Sequence, residues 1–103
     1  MIEMVRRTDL NTYLEVPNAF TPNGDGLNDN FFLINKSIHE LYEYKIYNAH
    51  GKLVFDGGTD PNAIWDGSYD DTPLDKGIFI LIVRGLGAYE TLFELKENIT
   101  LLR

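Results

Sequence analysis

The 103-residue chain contains no cysteine and few basic residues. Both shortages limit the chemistry and the binding partners that can be expected of it. Without cysteine it forms no disulfide and offers no thiolate as nucleophile or metal ligand. Nine Lys and Arg stand against sixteen Asp and Glu, which gives a net charge of −7. Nucleic acids and anionic membranes attract the opposite sign of charge, so neither is expected as a partner.

Long apolar runs are also missing. The longest, residues 78–83, has the length of a strand, whereas a transmembrane helix needs about 20 apolar residues. Residues 1–14 carry two Arg and only scattered apolar positions, so they do not have the pattern of a secretory signal peptide. We therefore expect one domain at residues 16–103, preceded at residues 1–15 by a linker or the end of another region of a larger protein.

Hydrophobic patterning predicts strands. Tyr42, Tyr44 and Ile46 alternate with their neighbours, as the side chains of a half-buried strand do, and the same period recurs at residues 89–95. A turn at residues 48–51 follows the first of these strands. The apolar run at residues 78–83 predicts a buried strand. Further short strands are expected at residues 13–16, 31–34, 52–55 and 99–102.

About seven short strands with turns between them indicate an all-β fold, a single antiparallel β-sandwich of the immunoglobulin-like kind. One helical turn is expected at residues 37–41, where Ser37 and Glu40 fit a capping box.

The most informative segment is the loop at residues 16–31, VPNAFTPNGDGLNDNF. Asn-Gly and Asp-Gly pairs follow one another there, and Asn, Asp and Gly all tolerate positive φ. Its two prolines disfavour a helix, and its polarity disfavours burial. The composition predicts a loop with one defined conformation.

This loop resembles the opening signature of the gliding-motility-associated C-terminal domain, the type B sorting domain of the type IX secretion system. Later motifs keep that family's order: Lys-Ile-Tyr-Asn at 45–48, Gly-Lys-Leu-Val-Phe at 51–55, Trp-Asp-Gly at 65–67 and the turn at 73–77. The chain ends on a predicted strand that closes with a basic residue, Arg103. The resemblance covers residues 16–103.

The resemblance implies a sorting signal that directs a larger cargo protein through the type IX secretion system. Its partners would be outer-membrane components of that system and N-terminal cargo domains of the same chain. The exposed edge of the last strand would present backbone groups to such a partner, with strand addition as one mode of binding. The cargo would pass through the periplasm of a Gram-negative bacterium to the cell surface or the medium. The implied recognition loop comprises Pro17, Asn18, Phe20, Thr21, Pro22, Asn23, Gly24, Asp25, Gly26, Asn28 and Asp29. The implied structural motif comprises Gly51, Trp65, Asp66, Gly67, Gly77 and Arg103.

The sequence departs from the family pattern in two places. The central hairpin has Ala49 and His50 where members usually carry Arg and Trp or Tyr, and Asn98 replaces the usual Gly before the last strand. The first change removes a cation and a large ring from a turn, so it bears on partner binding rather than on the fold.

The same loop raises the question of a bound ion. Asn23, Asp25, Asn28 and Asp29 offer the oxygen ligands that calcium prefers. EF-hand spacing fails, because Leu27 stands where a third oxygen ligand belongs and no Glu ends the loop. The alternative is an array of Asx-turns, in which the side chains bond the loop's own backbone, and we favour it. No other cofactor is expected.

Catalysis is not expected. A general acid such as Asp66 would need a second catalytic group, and the sequence pattern offers none. In a β domain, Trp-Asp-Gly is more often a buried Trp ring beside a turn in which the Asp side chain caps backbone amides. His39 and His50 have no cysteine and no repeated ligand spacing, so the sequence predicts no zinc site.

A second hypothesis is an adhesive or carbohydrate-binding β-sandwich stabilised by calcium. Exposed aromatic residues would then form the site, with Tyr13, Tyr47, Tyr69 and Tyr89 as candidates. No compact cluster of aromatic and acidic residues supports it in the sequence.

Overall fold

The structure, a computed structural model, describes residues 3–4 (backbone alone), 13–22, 24, 29–87 and 90–103. These ranges contain twelve strands and no α-helix, so they hold no helix able to cross a membrane. The strands, numbered in chain order, are β1 (Glu3–Met4), β2 (Leu14–Glu15), β3 (Ala19–Phe20), β4 (Phe31–Phe32), β5 (Ile34–Asn35), β6 (Glu40–Tyr47), β7 (Leu53–Asp56), β8 (Ile64–Trp65), β9 (Ser68–Tyr69), β10 (Thr72–Pro73), β11 (Gly77–Leu86) and β12 (Thr91–Leu101).

One large sheet contains all the long strands, in the order β1-β12-β11-β6-β7, and β3 also pairs with β12. β11 and β12 are antiparallel over ten residue pairs, from Gly77 opposite Leu101 to Leu86 opposite Leu92. β6 is antiparallel to β11, and β7 to β6. β1 and β3 are parallel to β12 and pair with its two ends. The long strands are thus antiparallel as predicted, and the two short parallel additions are not visible in the sequence pattern.

The inner face of this sheet carries the core. Phe79, Leu81 and Val83 of β11 are buried, and β6 and β12 bury alternate residues in the same way. Three two-stranded pairs, β2–β5, β4–β8 and β9–β10, complete the fold. Leu14 of β2 and Trp65 of β8 join the same buried cluster. The predicted all-β sandwich is confirmed, while an immunoglobulin-like strand order stays a prediction.

The number of strands exceeds the predicted seven because eight of the twelve described strands have only two residues. A two-residue bridge leaves no alternation in the sequence. The two strands predicted at residues 89–95 and 99–102 are one strand, β12, which runs unbroken from Thr91 to Leu101, while Tyr89 lies outside the described residues.

A β-bulge changes the face of one predicted core residue. Arg84 lies opposite Glu43, but the next residue, Gly85, lies opposite Leu41, so Tyr42 is an extra residue in β6. The bulge shifts the alternation, and Leu41 points inward while Tyr42 is 48% exposed. The prediction that Tyr42 shares a face with Tyr44 is therefore wrong.

The predicted helical turn at residues 37–41 is also wrong. Glu40 and Leu41 already belong to β6, and the backbone N–H of His39 donates to Leu86 O at 2.8 Å. The Asn35 side chain accepts the N–H of Ile38 at 3.0 Å, which turns the chain without a helix. Pairing with β11 therefore outweighs the local capping signal.

The apolar run at residues 78–83 is buried on one face only. Ile78 is 56% exposed, whereas Phe79 and Leu81 are buried. The predicted turn at residues 48–51 is confirmed: Asn48 Oδ1 accepts the N–H groups of His50 and Lys52, both at 2.9 Å. Gly51 has a φ of +86° there, a conformation that glycine adopts readily.

Two residues placed before the predicted domain boundary take part in the core. Tyr13 stacks on Phe93 with ring centroids 5.6 Å apart, and Leu14 is 2% exposed. The division of the chain at residue 16 stays a prediction.

The turn between β9 and β10 is strained, which gives a first prediction. Asp70 and Asp71 have φ of 54° and 64°, as a two-residue type I′ turn requires, although neither is a glycine. Asp71→Gly is expected to raise the free energy of unfolding by about 1 kcal/mol, measured by urea denaturation. Asp75→Gly removes the same charge at an exposed residue without positive φ, and an equal gain there would contradict the strain argument.

Candidate functional site

The segment Pro-Asn-Ala-Phe at residues 17–20 pairs with the last strand. Ala19 and Phe20 form β3 and lie parallel to Thr100 and Leu101. The backbone N–H of Thr100 donates to Asn18 O at 2.8 Å, and that of Leu102 donates to Phe20 O at 2.9 Å. Because Pro17 begins this segment and Pro22 follows two residues after its end, an extended conformation is favoured over a helix.

Phe20 places its ring in an aromatic cluster around Trp65. Its centroid lies 5.3 Å from that of Trp65 and 6.1 Å from that of Phe31. Phe79 of β11 meets Trp65 edge-on at 5.2 Å. The indole N–H of Trp65 donates to Ser68 O at 2.9 Å, so the buried ring leaves no polar atom unpaired. The first motif of the sequence thus meets the Trp-Asp-Gly motif in the core.

Asp66 and Gly67 shape the turn that follows Trp65. Asp66 Oδ1 accepts the backbone N–H of Ser68 at 3.0 Å and its hydroxyl at 2.5 Å. These hydrogen bonds, the hydroxyl first, hold the pKa of Asp66 below its usual value. Gly67 has a φ of +83°, and a Cβ there would lie 3.2 Å from Pro22 Cγ and 3.3 Å from Leu101 Cδ1. Glycine is required by both conformation and space.

Arg103 ties this turn to the end of the chain. Its Nε donates to Leu74 O at 2.6 Å, and its Nη2 donates to Gly67 O at 3.3 Å. The same Gly67 carbonyl accepts the backbone N–H of Leu74 at 2.9 Å. We call Phe20, Pro22, Gly67, Leu101 and Arg103 the terminal clamp, since together they join three distant segments.

The clamp changes one expectation about the last strand. The sequence suggests that an exposed edge of this strand is available to a partner. The structure places Thr100 and Leu101 between β11 on one side and β3 on the other. The edge is therefore covered at these two residues. Sequence reasoning missed the role of Leu74, whose carbonyl oxygen accepts from Arg103 and whose N–H donates to Gly67 O, because backbone contacts leave no signal in the residue pattern.

The recognition loop is described in part. Asn18 and Gly24 are exposed, and Thr21 and Asp29 are half-buried. Asp29 Oδ1 accepts the backbone N–H of Gly24 at 3.1 Å, so this side chain bonds the loop's own backbone, but five residues back and not two residues on as in an Asx-turn. The remaining members lie outside the described residues: Asn23, Asp25, Gly26 and Asn28.

The calcium hypothesis stays a prediction. Asp29 alone of its four candidate ligands is described, and the described residues contain no group of three His, Asp or Glu side chains placed to hold a metal.

The structure brings some of the other candidate residues to the clamp and keeps others apart. Gly77 lies opposite Leu101, whereas Gly51 belongs to the turn between β6 and β7. His50 is exposed in that same turn.

The four tyrosines of the adhesive hypothesis do not share one environment. Tyr13 is buried, so its predicted exposure is wrong. Tyr69 is 41% exposed and lies under Lys52 Nζ, 4.4 Å from the ring centroid. Tyr47 is half-buried, and Tyr89 lies outside the described residues.

Crowding at Gly67 gives a prediction with a matched control. Gly67 and Gly58 both have positive φ, but no atom lies within 4 Å of a Cβ built on Gly58. Gly58→Ala is expected to lower the free energy of unfolding by about 1 kcal/mol through φ alone. Gly67→Ala is expected to cost about 2 kcal/mol, because Pro22 and Leu101 must also move. Chemical denaturation measures both, and equal losses would show that the clamp is loosely packed.

Comparison with known proteins gives one match. Residues 14–93 match the family model of the CHU_C type IX secretion signal domain, and this range includes the loop and the Trp-Asp-Gly motif. No curated protein and no solved structure matches the chain. The match confirms the type B sorting domain predicted from the motifs. The chain therefore belongs to the family of type IX secretion signal domains, which direct the cargo they are part of through the type IX secretion system to the cell surface or medium.

Proposed function

We propose that an outer-membrane component of the type IX secretion system recognises this domain in its folded state, with the recognition loop held out by the terminal clamp. The cargo domains would precede it in the same chain, and it would reach this partner from the periplasm of a Gram-negative cell. One observation carries the proposal. A Cβ at Gly67 would crowd both Pro22 of the loop and Leu101 of the last strand, so the family's motifs meet in space.

The clamp supports recognition of a surface rather than of a linear peptide. Phe20 is 1% exposed and therefore cannot be a direct contact of a partner. Its burial fixes where the loop leaves the sheet, and exposed Asn18 and Gly24 are then available for contact. Asn18, bonded to Thr100, and Gly24, bonded to Asp29, would lose little conformational freedom on binding, which favours affinity.

The same geometry favours a binding role over a catalytic one. Asp66 is the acidic residue of the Trp-Asp-Gly motif, and its lowered pKa keeps it ionised at neutral pH. An ionised carboxylate cannot donate a proton, and Oδ1 already accepts two hydrogen bonds from Ser68. Its role is to hold the turn that supports Gly67.

An export assay tests the proposal. A reporter with its own signal peptide is fused to residues 1–103 and expressed in a host with the type IX system and in a secretion-defective one. Asp25→Asn with Asp29→Asn removes two loop charges and leaves an oxygen at position 29 for the Gly24 amide. This variant is expected to be exported several-fold less than wild type because the partner loses contacts, as measured by reporter in the medium.

Asp70→Asn with Asp71→Asn is the matched control, because it removes two charges from the turn between β9 and β10 and Asn tolerates positive φ. It is expected to be exported like wild type. Equal export of both variants would remove the loop from the contact surface. Retention of the wild-type fusion in the periplasm of both hosts would overturn the proposed function itself.

Calcium is tested separately. We propose that the loop closes on its own backbone, as the Asp29–Gly24 hydrogen bond suggests, and that no ion is needed. Millimolar calcium should then leave Tm equal to that measured in EDTA, with magnesium as the control for ionic strength. A rise of several degrees with calcium alone, lost on Asp29→Ala, would establish a calcium site.

A further inference from the structure

A groove separate from the terminal clamp lies where β6 begins. Its volume is about 380 Å³, within the range of about 300–1,000 Å³ common for ligand sites. His39, Glu40 and Tyr42 line one wall, and Thr59 and Pro61 line the other. Neither the motifs of the family nor the recognition loop contributes to it.

The wall formed by β6 is shaped by the bulge. Tyr42 is the extra residue, and the bulge turns its ring away from the core to the solvent side, where it is 48% exposed. Glu40, which precedes the buried Leu41, is also exposed, so Glu40 and Tyr42 both lie on the solvent side of β6. Bulges recur next to binding sites because they redirect one side chain without breaking the sheet.

The opposite wall is held in place by its own hydrogen bonds. Asp56 Oδ1 accepts the N–H of Gly58 at 2.8 Å, and Asp60 Oδ1 accepts the N–H of Asn62 at 2.9 Å. The buried Tyr44 hydroxyl donates to Ala63 O at 3.0 Å, which fixes the end of this loop against the core. The groove is therefore formed before any ligand arrives.

The charge of the groove favours a cation. Glu40 lines it, and none of the described residues that line it is a Lys or an Arg.

The cations on neighbouring positions of the sheet are already paired. Arg84 lies 3.2 Å from Glu94 and 3.7 Å from Glu43, and Lys45 lies 3.4 Å from Glu43. Among the described residues that line the groove, the one with a formal charge is thus the acidic Glu40.

We propose that this groove binds an arginine side chain from an exposed basic segment of the secretion partner, and this inference rests on the proposed function. A guanidinium can stack on the Tyr42 ring and donate two hydrogen bonds to the Glu40 carboxylate. The domain already uses such a contact internally, since Lys52 lies over the ring of Tyr69. Arginine fits better than lysine because its planar group satisfies both the ring and the carboxylate.

Binding is tested by titrating isotope-labelled protein with the peptide acetyl-Gly-Ser-Arg-Ser-Gly-amide and following backbone amide shifts. Shifts are expected at residues 39–42 and 58–61, and the counterpart with neutral citrulline in place of arginine should bind much more weakly. Glu40→Gln and Tyr42→Ser, both at exposed positions, should each weaken binding about fivefold. Tyr69→Ser is the control, since it removes an exposed ring outside the groove, and should bind like wild type.

Five outcomes decide the inference. Shifts confined to the groove, together with reduced export of Glu40→Gln and Tyr42→Ser reporter fusions, would support it. Equal binding of the citrulline peptide, or shifts centred on Asp70 and Asp71, would overturn it. Wild-type export of both groove variants would also overturn it and leave the proposed function standing. Failure of wild-type export despite arginine binding would overturn the proposed function and, with it, the assignment of the ligand to a secretion partner.

Discussion

The pairing of β11 with β12 is the interaction on which the other elements depend. Its ten residue pairs form the centre of the sheet, β6 adds to one side of it, and β1 and β3 add to the other. The inner residues of the two strands, such as Leu81 and Ile99, are fully buried. The small strand pairs have too few residues to be stable alone, so they acquire their conformation by packing on this sheet.

The parts of the fold that sequence predicts are those with a local physical cause. Alternation over many residues marks β6 and β12, and the turn at Asn48 follows from side chains that bond their own backbone. The bulge at Tyr42 has no local signal, because it arises from the register that β6 adopts against β11. The helical turn fails for the same reason: the capping pattern at Ser37 is local, and sheet pairing overrides it.

The candidate site also has parts that the sequence predicts and parts that it does not. The motif residues Phe20, Trp65 and Gly67 are recognisable in sequence, yet nothing in their spacing shows that they meet at one end of β12. That meeting depends on a parallel pairing between chain segments far apart. The groove at Tyr42 is less visible still, since it combines a bulge with a loop ordered by Asp56 and Asp60. Side chains brought together by tertiary structure leave no periodic pattern.

The parallel pairing of Ala19 with Thr100 also determines when the clamp can form during synthesis of the chain. A chain made from its N-terminus produces the Pro-Asn-Ala-Phe segment long before the strand that it must join. This segment cannot complete its hydrogen bonds until the last residues of the described chain have left the ribosome and crossed into the compartment where the domain folds. A product that stops before Leu101 lacks the strand residues that Ala19 and Phe20 pair with, so its clamp stays incomplete. The fold therefore makes the conformation of the Pro-Asn-Ala-Phe segment depend on residues 100–102, whose backbone N–H groups supply its hydrogen bonds.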